Sequence, residues 1–414
     1  MKLKSHNLNV GASIQHFDVD GSLIKEYYYP TSNDGEQVYL EAKVENENGE
    51  IIHSEKYPFR SFNHNMLRYQ QFILQEWSTG IGAALGFHNL SGSLISWGGL
   101  PGYYTEACRF DSAYGQTNVG LCVGTSSATN SMYTDNLHGK IEHGNGTNQL
   151  GYQVQTTFPL SIISGSYYLT TTRSFINSGS TSVNIREIGF IGCEATQMNK
   201  PNYAFLFCRD TKDYAGNDIN IVLPTSSILT VNLNLIYPNN NHLVKSYAQV
   251  MECVITNTAA SIRPMTSGTL VTVNAQSRNG GIGLFYANTF AECMATGSSI
   301  MVGSSSQAFN IDDYKLYGLI KAGYETTSLY YFPNNWYVVS GSDSGSRQLS
   351  RMITNYTPNT FTIEEMGLVN WVGTGGTSVA NRWLWARTLT GTITLLPSQS
   401  LLASYNFNVV VSGS

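Results

Sequence analysis

The chain has 414 residues, 23 Lys+Arg against 28 Asp+Glu, a net charge of −5, and only 12% charged residues. That balance excludes an electrostatic case for nucleic-acid binding, and the spread of apolar and aromatic residues excludes disorder, which pairs low hydrophobicity with high net charge. The length is enough for two or three domains, each with its own core, and the abundance of Gly, Ser, Thr, Asn and Tyr suits an all-β protein with many turns and large uncharged polar surfaces.

The N-terminal stretch Met1-Lys2-Leu3-Lys4-Ser5-His6-Asn7 has no apolar core of signal-peptide length, and no apolar run approaches the length of a membrane span. The chain therefore reads as made in a cytoplasm, with no membrane span. Cys108, Cys122, Cys193, Cys208, Cys253 and Cys293 are scattered without a C-x-x-C pair. They are expected to be buried thiols rather than disulfides or metal ligands.

Residues 1–59 predict a β-hairpin region, with strands over 8–17, 22–29, 37–45 and 50–57. Asp18-Val19-Asp20-Gly21, residues 31–35 and Asn46-Glu47-Asn48-Gly49 punctuate them. Phe62, Met66, Tyr69, Ile73 and Trp77 then recur at helical spacing. Strands follow, with Ser166–Phe175 alternating, Ser182–Ile191 apolar, and Leu229, Val231, Leu233 and Leu235 on one face of the stretch 228–237.

After residue 59 the sequence is written twice. Val123-Gly124-Thr125-Ser126-Ser127 returns as Val302-Gly303-Ser304-Ser305-Ser306, and Leu137-His138-Gly139 as Leu316-Tyr317-Gly318, both at a shift of 179. Arg173, Asn177 and Glu187 return as Arg351, Asn355 and Glu365 at a shift of 178, as does Arg209 as Arg387. Leu223-Pro224 aligns with Leu396-Pro397 at 173, across a shorter loop. A helical stripe of Leu243, Tyr247, Val250, Met251 and Val254 opens the second copy. Gly268-Thr269-Leu270-Val271-Thr272-Val273 then matches Gly92-Ser93-Leu94-Ile95-Ser96-Trp97. The predicted fold class is mainly β. The N-terminal hairpin region (1–59) is followed by two tandem, duplicated β-sandwich-like domains (60–240 and 241–414), each opening with a short helix. The second copy lacks its own hairpin pair, so it either borrows the strand 228–237 or pairs with a neighbouring subunit.

The polar residues written twice are the first candidates for a site. Arg173, Glu187 and Arg209, with Arg351, Glu365 and Arg387, lie within apolar strands. Their duplication favours structural polar pairs, with Glu187 within hydrogen-bonding reach of Arg173 or Arg209 and Glu365 of Arg351 or Arg387, over a catalytic or ligand cluster. Other motifs carry less. Asp18-Val19-Asp20-Gly21-Ser22 starts like a calcium loop but has Tyr29 at the twelfth position, and reads as a hairpin turn. His138 and His143 flank Glu142 without a third ligand. Residues 80–86 lack the G-K-[ST] ending of a phosphate loop, and the Gly-Thr-Ser-Ser and Gly-Ser-Ser-Ser runs lack a nucleophile elbow. No catalytic residues and no cofactor are predicted. Tyr27-Tyr28-Tyr29, Tyr103-Tyr104, Tyr167-Tyr168 and Tyr330-Tyr331-Phe332 divide between core positions and surfaces for protein or carbohydrate contact.

One order of motifs resembles a known module: Arg60-Ser61-Phe62, a helix, Val119-Gly120-Leu121-Cys122-Val123-Gly124-Thr125, Asp135-Asn136-Leu137, and Arg173-Ser174-Phe175-Ile176-Asn177. It continues through Asn184-Ile185-Arg186-Glu187-Ile188-Gly189, Leu206-Phe207-Cys208-Arg209-Asp210 and Leu223-Pro224-Thr225-Ser226. It is similar to a module of structural proteins in tailed-bacteriophage particles. The resemblance covers nearly all of the first copy and, with gaps, the second. It implies a virion component at the tail, head–tail junction or capsid surface, assembling in multiple copies with other virion proteins as a homo-oligomer. It carries no catalytic residues. The alternative is a receptor-binding adhesin of the particle that recognises a host-surface glycan.

Overall fold

The computed structural model describes residues 9–29, 37–58, 65, 86–96, 108–131, 133–163, 166–194, 201–237, 243–256, 260–265, 268–273, 299–340, 344–371 and 382–410. The protein is mainly β. Its strands, in chain order, begin with β1 (Asn9–Phe17), β2 (Leu23–Tyr29), β3 (Gln37–Glu45) and β4 (Ile51–Pro58), then β5 (Gly86–His88), β6 (Leu94–Ser96), β7 (Cys108–Arg109), β8 (Gly120–Gly124) and β9 (Glu142–His143). They continue with β10 (Gln149–Tyr152), β11 (Thr156–Ile163), β12 (Ser166–Ile176), β13 (Val183–Ile185), β14 (Glu187–Glu194), β15 (Ala204–Asp210), β16 (Ile221–Leu223) and β17 (Ile228–Tyr237). A helix, α1 (Lys245–Thr256), precedes β18 (Ala260–Ile262), β19 (Val271–Val273), β20 (Ser299–Gly303), β21 (Tyr330–Ser340), β22 (Ser344–Thr354), β23 (Phe361–Trp371), β24 (Arg382–Leu395) and β25 (Ser400–Val410). No helix among the described residues is long and apolar enough to cross a membrane.

Pairing in the second half follows the register of the first. Glu187 stands opposite Gly124 and Glu365 opposite Gly303; Gly189 faces Arg209 and Gly367 faces Arg387. Phe175 pairs with Leu229, and Ile353 with Leu401. A bulge falls after Phe190 in β14 and after Leu368 in β23, at matching positions. One correction concerns the last stretch. Val183 pairs with Leu223 and Phe361 with Leu395, so Leu395, not Leu396, is the counterpart of Leu223. The difference arises between Asp210 and Ile221, where the first half inserts a turn, Asp213-Tyr214-Ala215-Gly216-Asn217, closed by the Asp213 amide on the Asn217 carbonyl at 2.8 Å. The second half passes straight through on β24.

Why these segments are strands is visible in the burial pattern. In β12, Tyr167, Leu169, Thr171, Arg173 and Phe175 alternate inward with strict period two, and in β17 Leu229, Val231 and Leu233 do the same. Their outward faces carry a ladder of cross-strand hydrogen bonds: Thr170 to Asn234 (2.8 Å), Thr172 to Asn232 (2.8 Å) and Ser174 to Thr230 (3.0 Å). These are the uncharged polar surfaces that the composition implied.

The first 58 residues do not form a sheet of their own. The hairpin β3–β4 adds to β17, giving the order β4-β3-β17-β12. The hairpin β1–β2 adds to the last strand, giving β2-β1-β25-β22-β21. The second half therefore neither borrows β17 nor waits for another subunit; it is completed by the first hairpin of its own chain. The two hairpins are themselves alike. Asp18 and Asn46 open the turns, Gly21 (φ 81°) and Gly49 (φ 79°) supply the left-handed residue, and Leu23-Ile24 and Ile51-Ile52 begin the outer strands. They dock in one register, with Phe17 opposite Ser400 and Glu45 opposite Ile228. The motif that started like a calcium loop is the first of these turns, with Asp18 Oδ1 and Asp20 Oδ1 accepting backbone amides.

The predicted helix over residues 62–77 lies outside the described residues except for Asn65, as do Tyr103-Tyr104, the glycines at 80–82 and the inter-copy stretch 238–241. Asn65 is buried, and its Nδ2 donates to the Leu206 carbonyl at 3.0 Å. Ser246 of α1 donates to the carbonyl of Leu384, the counterpart of Leu206.

The pairing of β1 with β25 is testable by cross-linking. Ser13 and Ser404 are directly opposed Cα partners. Ser13→Cys combined with Ser404→Cys is expected to form an intrachain disulfide, read as a concentration-independent mobility shift on non-reducing gels. The offset pair Ser13→Cys with Asn406→Cys is expected to form none.

Candidate functional site

Four arginines, Arg173, Arg209, Arg351 and Arg387, are fully buried. Inward alternation of β12 drives Arg173 into the core, where no carboxylate of the described residues meets it. Nε donates to the Gln153 carbonyl (3.0 Å), Nη1 to those of Val119 (3.0 Å) and Leu121 (2.8 Å), and Nη2 to those of Ala113 (3.3 Å) and Gln116. All five guanidinium donors thus end on backbone carbonyls, while the Tyr152 ring lies 4.8 Å from the guanidinium carbon. Burial pulls the Arg173 pKa below its ordinary value. Arg351 repeats the arrangement, donating to the Phe332 (2.8 Å) and Ile300 (3.1 Å) carbonyls over Tyr331.

Glu187 and Glu365 pair with the other two arginines. Arg209 Nε donates to Glu187 at 2.6 Å, and Arg387 Nε to Glu365 at 2.7 Å. Each carboxylate also accepts the amide of a turn glycine, Gly139 at 2.6 Å and Gly318 at 2.7 Å. These turns admit only glycine: a Cβ on Gly139 would lie 2.8 Å from the Ser126 backbone nitrogen, and one on Gly318 2.7 Å from that of Ser305. The six residues singled out from the sequence thus separate into two devices per half, an Arg–Glu pair and a carbonyl-bound Arg. Both are sealed from solvent.

The halves differ around the pair. Arg387 also contacts the buried Asp313 at 2.9 Å. The aligned position in the first half is Thr134, and Arg209 pairs with no second carboxylate among the described residues.

His138 and His143 are not gathered with a third metal-ligating side chain among the described residues. The His143 Nδ1 accepts the Tyr152 amide at 3.1 Å, and no group of three His, Cys, Asp or Glu that could hold a metal occurs among the described residues. Cys122, Cys193 and Cys208 are buried thiols. Burial pushes the Cys122 thiol up to about 11, which keeps it protonated and unreactive at neutral pH.

An open site exists elsewhere, and the sequence did not single it out. A cavity of about 400 Å³ beside the start of α1 is lined by Lys245, Ser246, Gln249, Ser261, Arg263, Leu270, Asp312, Asp313 and Tyr314. Lys245 Nζ pairs with Asp312 Oδ1 at 3.3 Å, and Tyr167 from β12 donates to the same oxygen at 3.0 Å. Arg263 is exposed and forms no ion pair with a described carboxylate. The signal available in the sequence was divergence between the copies. Phe87 pairs with Ile95 and Ile262 with Val271, all within matching short hairpins, so His88 and Leu94 correspond to Arg263 and Leu270. Asp135 corresponds to Tyr314 at the shift of 179. In the first half His88 lies 3.8 Å from Asp135.

Two outcomes follow from the buried groups. Glu187→Gln leaves Arg209 as an uncompensated buried charge and is expected to cost about 3–5 kcal/mol. Glu365→Gln is expected to cost less, since Arg387 keeps Asp313; urea unfolding of both variants checks the order. Alkaline pH gives the second. The folded Cys122 pKa is raised from 9.0 to about 11 and that of Tyr152 well above its ordinary value, both chiefly by burial. Their contribution is therefore intact below the unfolded values and is lost as pH rises. Unfolding free energy is expected to fall above pH 9, with Cys122 contributing about 3 kcal/mol once its titration is complete. Cys122→Ala is expected to flatten the slope between pH 9 and about 11. Compared with models of protein families, with curated proteins and with solved structures, the chain matches none.

Proposed function

We propose that the protein is a non-catalytic structural component of a tailed-phage virion, built as two tandem β-sandwich-like modules and assembling in multiple copies through its polar faces at the tail, head–tail junction or capsid surface. The observation that supports this reading most is the burial of the polar side chains written twice within the strands. The Arg–Glu pairs, the carbonyl-bound arginines and the asparagines Asn177 and Asn355 hold turns inside the protein. All are fully buried. Duplication has kept a scaffold, as expected of a protein whose work is to occupy space and join neighbours. The resemblance of the strand-and-turn motifs to phage structural modules supplies the particle.

The surface fits an assembling part. Outer strands β2 and β4 carry Lys and Glu residues that guard open backbone. The hairpins also present the apolar pairs Leu23-Ile24 and Ile51-Ile52, which are about half exposed. A second reading, a receptor-binding or glycan-binding adhesin, is favoured by tyrosines exposed on loops, including Tyr114, Tyr133, Tyr324 and Tyr356.

Cryo-electron microscopy of particles carrying the chain is expected to place it in ordered density at a symmetric ring or lattice position. Absence from the particles would overturn the structural reading. Density confined to a mobile peripheral tip would replace it with the adhesin.

A further inference from the structure

We propose that the cavity beside α1 is a binding site for a carboxylate-bearing sugar, with Arg263 holding the carboxylate. This site belongs to the second half alone, and the assignment does not rest on the assembly reading.

The first argument is electrostatic. At the equivalent place in the first half, His88 faces Asp135 across 3.8 Å, so the position carries its own counter-charge. In the second half, arginine replaces histidine and Tyr314 replaces the aspartate. The second half thus carries a permanent cation at this place, and the carboxylate at its side is gone. The remaining carboxylates of the lining are already engaged. Asp313 is buried against Arg387 and also accepts the Asn310 amide and the Tyr317 hydroxyl. Asp312 Oδ1 is held by Lys245 and Tyr167. Arg263 is therefore the cation in the lining that lacks a direct carboxylate contact among the described residues, and its planar fork suits a ligand carboxylate.

The second argument concerns the rest of the wall. Asp312 is about half exposed and directs one oxygen into the Lys245 and Tyr167 contacts, leaving Oδ2 to accept from a ligand. Because Lys245 already balances its charge, that oxygen suits a neutral hydroxyl donor better than an ammonium group. The same carboxylate disfavours a compact dianion such as phosphate. Gln249 and Ser261, themselves linked by a 2.7 Å hydrogen bond, add amide and hydroxyl groups. The exposed Leu270 and the Tyr314 ring supply an apolar strip, the pairing of surfaces that a sugar ring with its hydroxyls requires. Gly268 (φ +64°) keeps the turn clear of Tyr314: a Cβ there would sit 3.2 Å from the tyrosine hydroxyl. The cavity volume of about 400 Å³ matches one or two sugar rings rather than a long chain.

The test is calorimetric and ligand-observed NMR titration of the full chain with N-acetylneuraminate and with methyl glucuronoside, using methyl glucoside as the neutral control. Saturable one-site binding of at least one acidic sugar is expected, with the neutral sugar at least about tenfold weaker. Arg263→Ala is expected to reduce affinity by about tenfold or more, with Arg263→Lys intermediate. Because Arg263 is exposed, the thermal midpoint of Arg263→Ala is expected to match the parent, which separates a binding loss from a folding defect. Failure of both acidic sugars to saturate would overturn the assignment. So would equal binding of the neutral sugar, or an Arg263→Ala affinity within about twofold of the parent. A chain found in ordered particle density that binds neither sugar would refute this site and leave the structural reading standing.

Discussion

A guanidinium removed from water needs partners for its five N–H groups, and the loops of each half are built around supplying them, although Arg209 Nη2 has none among the described residues. Arg173 meets it with backbone carbonyls of the segment 113–121 and of Gln153, so the residue behaves as a template on which a loop is folded. Glu187 does the converse, taking one guanidinium donor and the amides of His138 and Gly139. Backbone groups inside a β protein that lie off the ladders would otherwise be buried without partners, at about 1–3 kcal/mol each. Charged side chains reach them because they extend further than a hydroxyl and offer several bonds at fixed angles. Such a cluster need not be more stable than well-packed apolar residues of equal volume. What it fixes is geometry: only one path of the turn satisfies every donor. The glycines at 124 and 139, and at 303 and 318, follow from the same crowding, since a Cβ at these positions would run into the carboxylate or the facing backbone.

Much of this was legible in the letters, but not all of it. Alternation marked 166–175 as a strand, and recurrence in both copies marked Arg173 and Arg351 as structural. Their partners could not be read, because a backbone carbonyl has no letter of its own. A reading confined to side chains looks for a carboxylate and stops at Glu187, which in fact serves Arg209. The destination of the hairpins was hidden for a different reason. Local pattern specifies that residues 9–29 form a hairpin, but its docking strand lies at the far end of the chain. β-register across that separation is decided by the fit of two faces, not by any local signal. The half-turn of misalignment at Leu223 has a similar origin: Leu-Pro was matched to Leu-Pro, whereas the sheet aligns Leu223 with Leu395 and sets Pro224 against Leu396.

The placement of the hairpins has consequences for how the chain reaches its fold. The two are alike in turn, in register and in the apolar pair that starts the outer strand, yet the nearer hairpin joins the first half and the farther one closes on β25. The contacts of the first half are thereby nested within a clasp formed by the two ends of the described chain. During synthesis β3–β4 can dock once β17 has emerged, whereas β1–β2 must wait for the last strand. Until then β1 presents an open edge next to a hairpin already engaged. Non-local pairing of this kind slows folding, and the charged residues of β2 and β4 limit wrong pairing in the interval.

Within so strict a scaffold, the places where the copies part company carry the most information. Buried positions change little in role: Cys122 becomes Met301 beside the same arginine, and Thr134 becomes Asp313 with a hydrogen-bond partner waiting. The short hairpin after the helix changes in a different way. The strand pairing of Phe87 with Ile95 is repeated as Ile262 with Val271, so the backbone frame is kept. The next residues outward exchange a histidine balanced by aspartate for an arginine beside a tyrosine. Packing cannot explain that exchange, since both side chains reach solvent, and fold stability gains little from an exposed charge without a partner. Asp312 and Lys245 line the same cavity, and Tyr167 of the other half braces Asp312 from behind. A duplicated frame lets one copy keep a carboxylate beside this position while the other turns the same position outward, toward a charge that the chain does not itself provide.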